Sequence, residues 1–109
     1  MGVDRTDYLV VGWKLKKELY DDLPEDAVMC DNLIYDYMCG EYLVFGKVIT
    51  SGNEPEGFDF TEIEPESLVL MNAETNKFKD LFKELTGRKL MDCVESDTVP
   101  KAMLFSHFW

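Results

Sequence analysis

The hydrophobic pattern at the start of the chain predicts a buried strand followed by a short helix. Residues 8–13 (YLVVGW) are almost continuously apolar and rich in β-branched and aromatic side chains, which is typical of a strand covered on both faces. Leu15, Leu19 and Leu23 then recur every four residues among charged ones, which is helical spacing. Pro24 should end that helix at or before Leu23.

A β-hairpin is predicted next. After a connection over residues 25–32, residues 33–38 (LIYDYM) and 41–49 (EYLVFGKVI) form two strand-like runs that are separated by Cys39 and Gly40. Glycine adopts a positive φ at little steric cost, so this pair can form a tight loop. A two-residue loop would pair Tyr37 with Tyr42, Tyr35 with Val44 and Ile34 with Phe45.

The middle of the chain is rich in turn-forming residues. Residues 51–57 (SGNEPEG) predict an exposed loop, because Gly, Asn and Pro favour non-repetitive backbone. Residues 58–63 are expected to form a short extended piece. Residues 66–71 (ESLVLM) fit either a strand or a helix, and we expect a strand because Asn72 offers a helix N-cap directly afterwards.

The last third predicts one long helix and a terminal strand. From Ala73 onward, one apolar helix face recurs with helical spacing, and Gly87 occupies the position of a C-cap. Residues 101–109 (KAMLFSHFW) predict a strand with apolar side chains on both faces, which we expect to lie inside the sheet. The members of the apolar helix face are Phe78, Leu81, Phe82 and Leu85.

This order of elements predicts a single α+β domain over residues 1–109. We expect an antiparallel or mixed β-sheet with one long helix packed on it and a short second helix. The length of 109 residues fits one hydrophobic core, and a hydrophobic fraction of 46% is too high for intrinsic disorder. No internal repeat and no long linker divides the chain.

The composition indicates the cellular compartment in which we expect the protein. No apolar run reaches the roughly 20 residues that span a bilayer, and the first residues are too charged for a signal peptide. We therefore expect a cytoplasmic protein that does not bind membranes. Cys30, Cys39 and Cys93 are odd in number and lack a tight pair spacing, which favours reduced thiols over a disulfide framework.

No motif for catalysis, metal binding or cofactor binding is found. His107 is the only histidine, and a lone histidine in an apolar strand is most often a hydrogen-bonded core residue. The three cysteines contain no CxxC pair for zinc. Gly46 and Lys47 do not complete a phosphate loop, because Val48 stands where Ser or Thr should bind magnesium. We expect no catalytic residue, no metal and no cofactor.

The negative charge of the chain is concentrated in one segment. Residues 18–66 hold fourteen carboxylates against one cation, Lys47, whereas the net charge of the whole chain is −11. If the fold gathers these side chains, their field attracts cationic partners and repels nucleic-acid phosphates. Aromatic residues within the segment favour a protein interface; they are Tyr20, Tyr35, Tyr37, Tyr42, Phe58 and Phe60. The alternative interpretation is a solvated face that maintains solubility.

In size, acidity and absence of a catalytic motif, the chain resembles the small acidic inhibitors that bacteriophages encode against host defence or transcription machinery. These include DNA-mimic anti-restriction and anti-CRISPR proteins. The resemblance implies a non-enzymatic inhibitor or adaptor that binds a basic protein, such as a nucleic-acid-binding protein, and does not itself bind nucleic acid. It covers no alignable motif and so transfers no residue role. From the charge pattern, the candidate contacts are Asp21, Asp22, Glu25, Asp26, Glu54, Glu56, Asp59, Glu62 and Glu64.

Two other interpretations come from different functional classes. The first is a small ligand-binding protein or enzyme with a pocket between helix and sheet near Cys93 and His107. The second is an oligomeric structural subunit, a homo-oligomer that assembles through an exposed edge strand of the hairpin or an apolar patch.

Overall fold

The computed structural model describes residues 5–36, 39–53, 62–95 and 98–108. The strands in this part are β1 (Arg5–Leu15), β2 (Leu33–Tyr35), β3 (Leu43–Asn53) and β4 (Lys101–Phe108). The α-helices are α1 (Glu25–Val28) and α2 (Asn72–Thr86), and the 3₁₀ helices are Lys17–Asp22, Pro65–Leu68 and Leu90–Asp92.

The four strands form one antiparallel sheet in the order β2-β3-β1-β4. Together with the long helix α2 and the short helix α1, this sheet confirms the predicted α+β fold. β1 lies between β3 and β4, and its residues Val10, Val11 and Trp13 are buried. The prediction of an interior strand at the start of the chain is therefore confirmed. In the described part of the chain, no helix is long and apolar enough to cross a membrane.

Two apolar clusters lie on opposite faces of the sheet, because successive residues of a strand point to opposite sides. On the face that α2 covers, a cluster forms that we call the helix-side core; its members include Val11, Trp13, Leu15, Leu43, Phe45, Phe82, Leu90 and Cys93. On the other face lies the second core; it comprises Val10, Ile34 and Val44, with Tyr8, Tyr42, Val48, Met103 and Phe105 packed against them.

The sheet is strongly bent. Tyr42 precedes the residue that pairs with Leu15 on β1, whereas His107 pairs with Thr6, nine residues away along the same strand. Nine residues of straight strand span about 30 Å, yet Tyr42 Oη lies 2.8 Å from His107 Nδ1. The sheet must therefore curl around the second core, helped by a β-bulge between Leu9 and Val10.

Helix α2 forms where the apolar spacing predicts it. Its Phe82 is buried in the helix-side core, with Phe78 and Leu81 packed against it. Gly87 ends the helix with φ 73°, and its N–H donates to the carbonyl of Lys83 at 2.7 Å, so the predicted C-cap is confirmed. The predicted N-cap is one residue late, because Asn72 is already helical and Met71 occupies the cap position.

The short first helix differs from its prediction. The segment after β1 is a 3₁₀ helix, Lys17–Asp22, which ends before Pro24 as expected. Leu15 does not belong to it, because Leu15 pairs with Leu43 at the end of β1. The expected connection that follows contains the one-turn helix α1.

The hairpin forms, but its predicted register is wrong by one residue. Ile34 pairs with Val44 instead of Phe45, and Tyr35 pairs with Leu43 instead of Val44. The loop is longer than two residues, because the carboxylate of Asp36 accepts the N–H groups of Cys39 at 3.2 Å and Glu41 at 3.1 Å. This side-chain cap stabilises a wide loop in place of a tight turn. The predicted partner Tyr37 lies outside the described residues.

Two predictions for the middle of the chain are wrong in the part that the structure describes. Ser51, Gly52 and Asn53 continue β3 and pair with β1, so the expected loop does not start at Ser51. The segment expected to be a strand before α2 is instead the 3₁₀ helix Pro65–Leu68. Residues 54–61, which include most of the expected extended piece, lie outside the description.

In the part of the chain that the structure describes, the terminal strand lies at the edge of the sheet, contrary to the prediction of an interior strand. β4 pairs with β1 on one side and is the last strand in the order. Its residues Met103 and Phe105 pack against the second core, whereas Leu104 on the other face is 70% exposed. A strand with apolar side chains on both faces need not be buried on both, because a strand at the edge of a sheet can have the same pattern.

Candidate functional site

Six exposed carboxylates lie on the short helices that follow β1. They belong to the 3₁₀ helix Lys17–Asp22, to α1 and to the turn after α1, and no cation interrupts residues 18–31. We call this set the acidic surface; its members are Glu18, Asp21, Asp22, Glu25, Asp26 and Asp31.

Buried apolar residues hold the backbone of the acidic surface in place. Leu19 is part of the helix-side core, and Leu23 packs against it. Ala27 is fully buried in α1, and α1 packs against α2. Burying these side chains removes apolar area from water, and it leaves the intervening carboxylates to face solvent.

Hydrogen bonds and one ring stack tie the same segment to the hairpin. The rings of Tyr20 and Tyr35 stack with centroids 3.7 Å apart and an interplanar angle of 6°. After α1, the side-chain amide of Asn32 donates to the carbonyl of Gly46 at 2.9 Å, and the Gly46 N–H donates back to the Asn32 carbonyl at 3.0 Å. The acidic surface is therefore attached to β2 and β3 at both of its ends.

The carboxylates of the acidic surface are largely uncompensated. Within the described residues, Asp22 is the only member in an ion pair, with Arg88 at 3.7 Å. Both side chains of that pair are largely exposed, and such pairs contribute little. Met29 follows α1 and is 74% exposed, and it lies four residues after Glu25 on the same helical face. An accessible apolar side chain therefore lies beside the acidic surface.

The predicted contact residues fall into three groups. Asp21, Asp22, Glu25 and Asp26 are all exposed on the acidic surface, as expected of contacts. Glu62 and Glu64 are also exposed, but they precede the 3₁₀ helix that leads into the N-terminal end of α2. The remaining three, Glu54, Glu56 and Asp59, lie outside the described residues.

The first two groups connect to opposite ends of α2. Asp22 contacts Arg88, which lies just beyond the C-terminal end of α2, whereas Glu64 comes before its N-terminal end. A helix of 15 residues is about 22 Å long. α2 itself carries three lysines and three carboxylates, so it adds no net charge. The structure therefore supports two acidic regions along the described chain.

The aromatic residues expected at the interface have structural contacts. Tyr20 and Tyr35 stack on each other, and Tyr42 packs against the second core, with its ring 5.2 Å from that of Phe105. Tyr37, Phe58 and Phe60 lie outside the described residues. Met29 is an accessible apolar side chain beside the acidic surface, and the aromatic pattern did not indicate it.

His107 is buried at the edge of the second core. It is 6% exposed, and its ring lies edge-on to Tyr8 and Tyr42 at 5.9 and 6.1 Å. Its Nδ1 lies 2.8 Å from Tyr42 Oη. The expectation of a hydrogen-bonded core histidine near a strand end is confirmed.

Burial favours the neutral forms of His107 and Tyr42. Burial lowers the pKa of His107 from its ordinary value of 6.5, although the nearby Asp36 carboxylate opposes this shift. Burial, together with the charge of Asp36, raises the pKa of Tyr42 to about 12. A neutral imidazole can accept a hydrogen bond at Nδ1 from the Tyr42 hydroxyl. This pairing stabilises the hairpin loop against β4, and a phenol with so high a pKa is a poor nucleophile at neutral pH.

Cys93 does not share a pocket with His107. Cys93 is 3% exposed within the helix-side core, whereas His107 contacts Tyr8 and Tyr42 on the other face of the sheet. Burial raises the pKa of the Cys93 thiol, which disfavours the reactive thiolate. Cys30, Cys39 and Cys93 are all free. No group of three metal-ligating side chains occurs among the residues that the structure describes.

We expect the free energy of unfolding to decrease as the pH falls below about 6.5. The unfolded chain protonates its histidine near 6.5, but burial lowers the pKa of His107 in the folded state. The unfolded state therefore binds more protons between these two pKa values. The stability contributed by the neutral imidazole is complete above 6.5 and is lost as the pH falls through the folded pKa.

Urea unfolding at about pH 7.5 and about pH 5.5 measures this effect. The control is His107→Gln, whose amide can accept the Tyr42 hydroxyl but does not titrate. We expect the free energy of unfolding to differ less between the two pH values in that variant than in the wild type. If the free energy of unfolding changed equally with pH in both proteins, the pH dependence would come from the carboxylates and not from His107.

Comparison of the chain with protein-family models, with characterised proteins and with solved structures finds no match.

Sequence reasoning missed the role of Asp36. It counted Asp36 only as one of the fourteen carboxylates of residues 18–66, but Asp36 is buried and its carboxylate caps the hairpin loop. The sequence pattern that could have indicated this role is an Asp just before a turn that contains glycine. Asp side chains in this position commonly accept hydrogen bonds from the N–H groups of the following residues.

Proposed function

We propose that the protein is a non-enzymatic inhibitor or adaptor that binds a basic partner protein through its acidic surface. The observation that carries this proposal is the concentration of six exposed carboxylates on residues 18–31, without an intervening cation. The backbone that presents them is fixed by the buried side chains of Leu19 and Ala27. A rigid charged surface loses little conformational entropy on binding, which favours association.

The contrast with α2 argues against a role in solubility alone. α2 alternates lysines and carboxylates, which is the mixed pattern that keeps a surface soluble. The acidic surface instead places like charges close together, which raises their mutual repulsion and costs stability. A cationic partner relieves that repulsion, so binding gains both from attraction and from relief of strain between the carboxylates.

The chemistry of the surface indicates the class of partner. Closely spaced carboxylates meet Lys and Arg side chains, and Met29 offers an apolar contact that excludes water beside them. Lys and Arg line the grooves that bind nucleic-acid phosphates. We therefore propose a nucleic-acid-binding protein as the partner, and the compositional resemblance extends this to a bacteriophage-encoded inhibitor of host defence.

A ligand-binding or enzymatic function near Cys93 and His107 has less support. The two side chains lie on opposite faces of the sheet and contact different clusters. Their pKa shifts keep the thiol protonated and the imidazole neutral at pH 7.

Neutralising four carboxylates of the acidic surface is expected to weaken partner binding and to slow association. The variant combines Asp21→Asn, Asp22→Asn, Glu25→Gln and Asp26→Asn, which removes four charges while keeping the shapes of the side chains. The measurement is a pull-down from bacterial lysate with identification by mass spectrometry, followed by association rates at several salt concentrations. We expect the wild-type rate to fall steeply with salt and the variant to associate more slowly, with a weaker salt dependence.

A matched control separates local charge from net charge. Asp80→Asn, Glu84→Gln, Asp92→Asn and Glu95→Gln also remove four exposed carboxylates, but from other places. This control variant should still bind the partner. In a separate competition experiment, duplex DNA should displace the partner if the acidic surface occupies a groove that binds nucleic acid. Equal binding by both variants would refute the assignment to the acidic surface. A separate variant, Glu62→Gln with Glu64→Gln, measures the contribution of the second acidic region.

A further inference from the structure

Two apolar side chains lie exposed just before α2. Val69 is 59% exposed and Met71 is 67% exposed, whereas Leu70 between them is 7% exposed. A single exposed apolar residue is common on protein surfaces, but two that share one side of a short segment form a small apolar patch. We call Val69 and Met71 the apolar pair.

The backbone conformation explains why the two side chains share a side. Val69 has φ −130° and ψ 135°, and Met71 has φ −68° and ψ 159°, so both are extended. Successive side chains of an extended chain point to opposite sides, and residues two apart lie on the same side about 7 Å from each other. Leu70 is buried in the helix-side core. The apolar pair therefore points away from that core.

Hydrogen bonds hold both ends of this segment in place. The 3₁₀ helix Pro65–Leu68 comes before it, and the Val69 N–H donates to the carbonyl of Glu66 at 3.4 Å. The Thr75 N–H donates to the carbonyl of Met71 at 2.9 Å, in the first turn of α2. A surface on a fixed backbone loses little conformational entropy on binding, which favours association.

The charge next to the apolar pair is negative. Residues 48–76 contain no Lys, Arg or His, so no cation of the same segment neutralises its carboxylates. Apolar side chains beside like charges suit a partner that offers apolar side chains beside charges of the opposite sign. Three exposed carboxylates precede the apolar pair closely in the chain; they are Glu62, Glu64 and Glu66.

We propose that the apolar pair and these three carboxylates form a second binding surface, which takes a basic amphipathic segment of the partner protein. Apolar side chains of that segment cover Val69 and Met71, while its Lys or Arg side chains meet the carboxylates. This inference rests on the proposed function for the choice of partner. It adds a contact before the N-terminal end of α2 to the acidic surface, which connects to the C-terminal end through Asp22 and Arg88.

Two model peptides test this surface before the partner itself is known. The first is an amphipathic peptide of Lys and Leu, and the second has the same length and charge but Ser in place of every Leu. Fluorescence anisotropy measures the dissociation constant of each labelled peptide for the full chain. We expect the Lys–Leu peptide to bind more tightly than the Lys–Ser peptide, because only its side chains remove the apolar pair from water.

The test variant combines Val69→Thr and Met71→Gln, which keep the approximate shapes of the side chains but make them polar. It should weaken binding of the Lys–Leu peptide at least about tenfold and leave binding of the Lys–Ser peptide unchanged. Both residues are exposed, so the variant should fold, which circular dichroism checks. The matched control is Leu104→Gln, at an exposed leucine on β4; it should bind both peptides like the wild type.

Several results would overturn the proposal. They are unchanged affinity of the test variant for the Lys–Leu peptide, an equal loss in the control variant, and failure of both peptides to bind the wild type. A loss found only in Met29→Gln would place the apolar contact beside the acidic surface instead. The proposed function fails separately, if the variant with four neutralised carboxylates keeps its captured partner, because that variant leaves residues 62–71 unchanged.

Discussion

Replacing Gly12 with alanine is expected to lower the free energy of unfolding by about 3 kcal/mol or more. Gly12 pairs with Gly46 across β1 and β3. A Cβ on Gly12 would collide with the carbonyl oxygen of Phe45 and lie 2.6 Å from the Cα of Gly46. These are backbone atoms in the centre of the sheet, so the clash can be relieved only by separating the strands. Gly46→Ala should have a similar effect, because its Cβ would lie 2.6 Å from the Cα of Gly12.

Urea unfolding at a fixed protein concentration measures both variants. Gly87→Ala is the control, because Gly87 has a positive φ but no atom within 4 Å of an added Cβ. It should cost only about 1 kcal/mol, from backbone strain. If Gly12→Ala cost no more than Gly87→Ala, β1 and β3 would have to be more loosely paired than the structure shows.

The sequence predicted the elements whose pattern is strong and local. β1 is buried on both faces, so its run of β-branched and aromatic residues had no competing interpretation. α2 combines a regular apolar face with a glycine C-cap, and two independent signals agreed on where it ends.

The errors occurred where long-range contacts decide the structure. The hairpin register depends on the carboxylate of Asp36, whose hydrogen bonds to Cys39 and Glu41 cannot be deduced from residue periodicity. The position of β4 depends on strand order, because the same apolar residues suit an interior strand and an unprotected edge. Leu15 has helical spacing with Leu19, but its pairing with Leu43 extends β1.

The candidate site was predictable in charge but not in arrangement. Exposure of Asp21, Asp22, Glu25 and Asp26 follows from their carboxylates, because unpaired charges are rarely buried. The relation of these residues to Glu62 and Glu64 depends on α2, which separates the two groups in the fold.

Replacing Trp13 with alanine is expected to lower the free energy of unfolding by about 3–5 kcal/mol. Trp13 is 1% exposed, and it connects three parts of the fold. It pairs with Phe45 across the sheet, its ring lies edge-on to Phe78 of α2 at 6.3 Å, and its indole N–H donates to the carbonyl of Thr98 at 3.0 Å. Alanine removes the ring contact and the indole hydrogen bond, and it leaves a cavity between sheet and helix.

Trp13→Phe separates packing from hydrogen bonding. It keeps an aromatic ring against Phe78 but removes the donor to Thr98, whose residue is exposed, so water can replace the bond. We expect a cost of about 1–2 kcal/mol for this variant. Thermal unfolding should show Trp13→Ala melting more than about 10 °C below the wild type and Trp13→Phe in between. Equal losses in the two variants would mean that the hydrogen bond to Thr98, rather than the packing of the ring between sheet and helix, holds this part of the fold together.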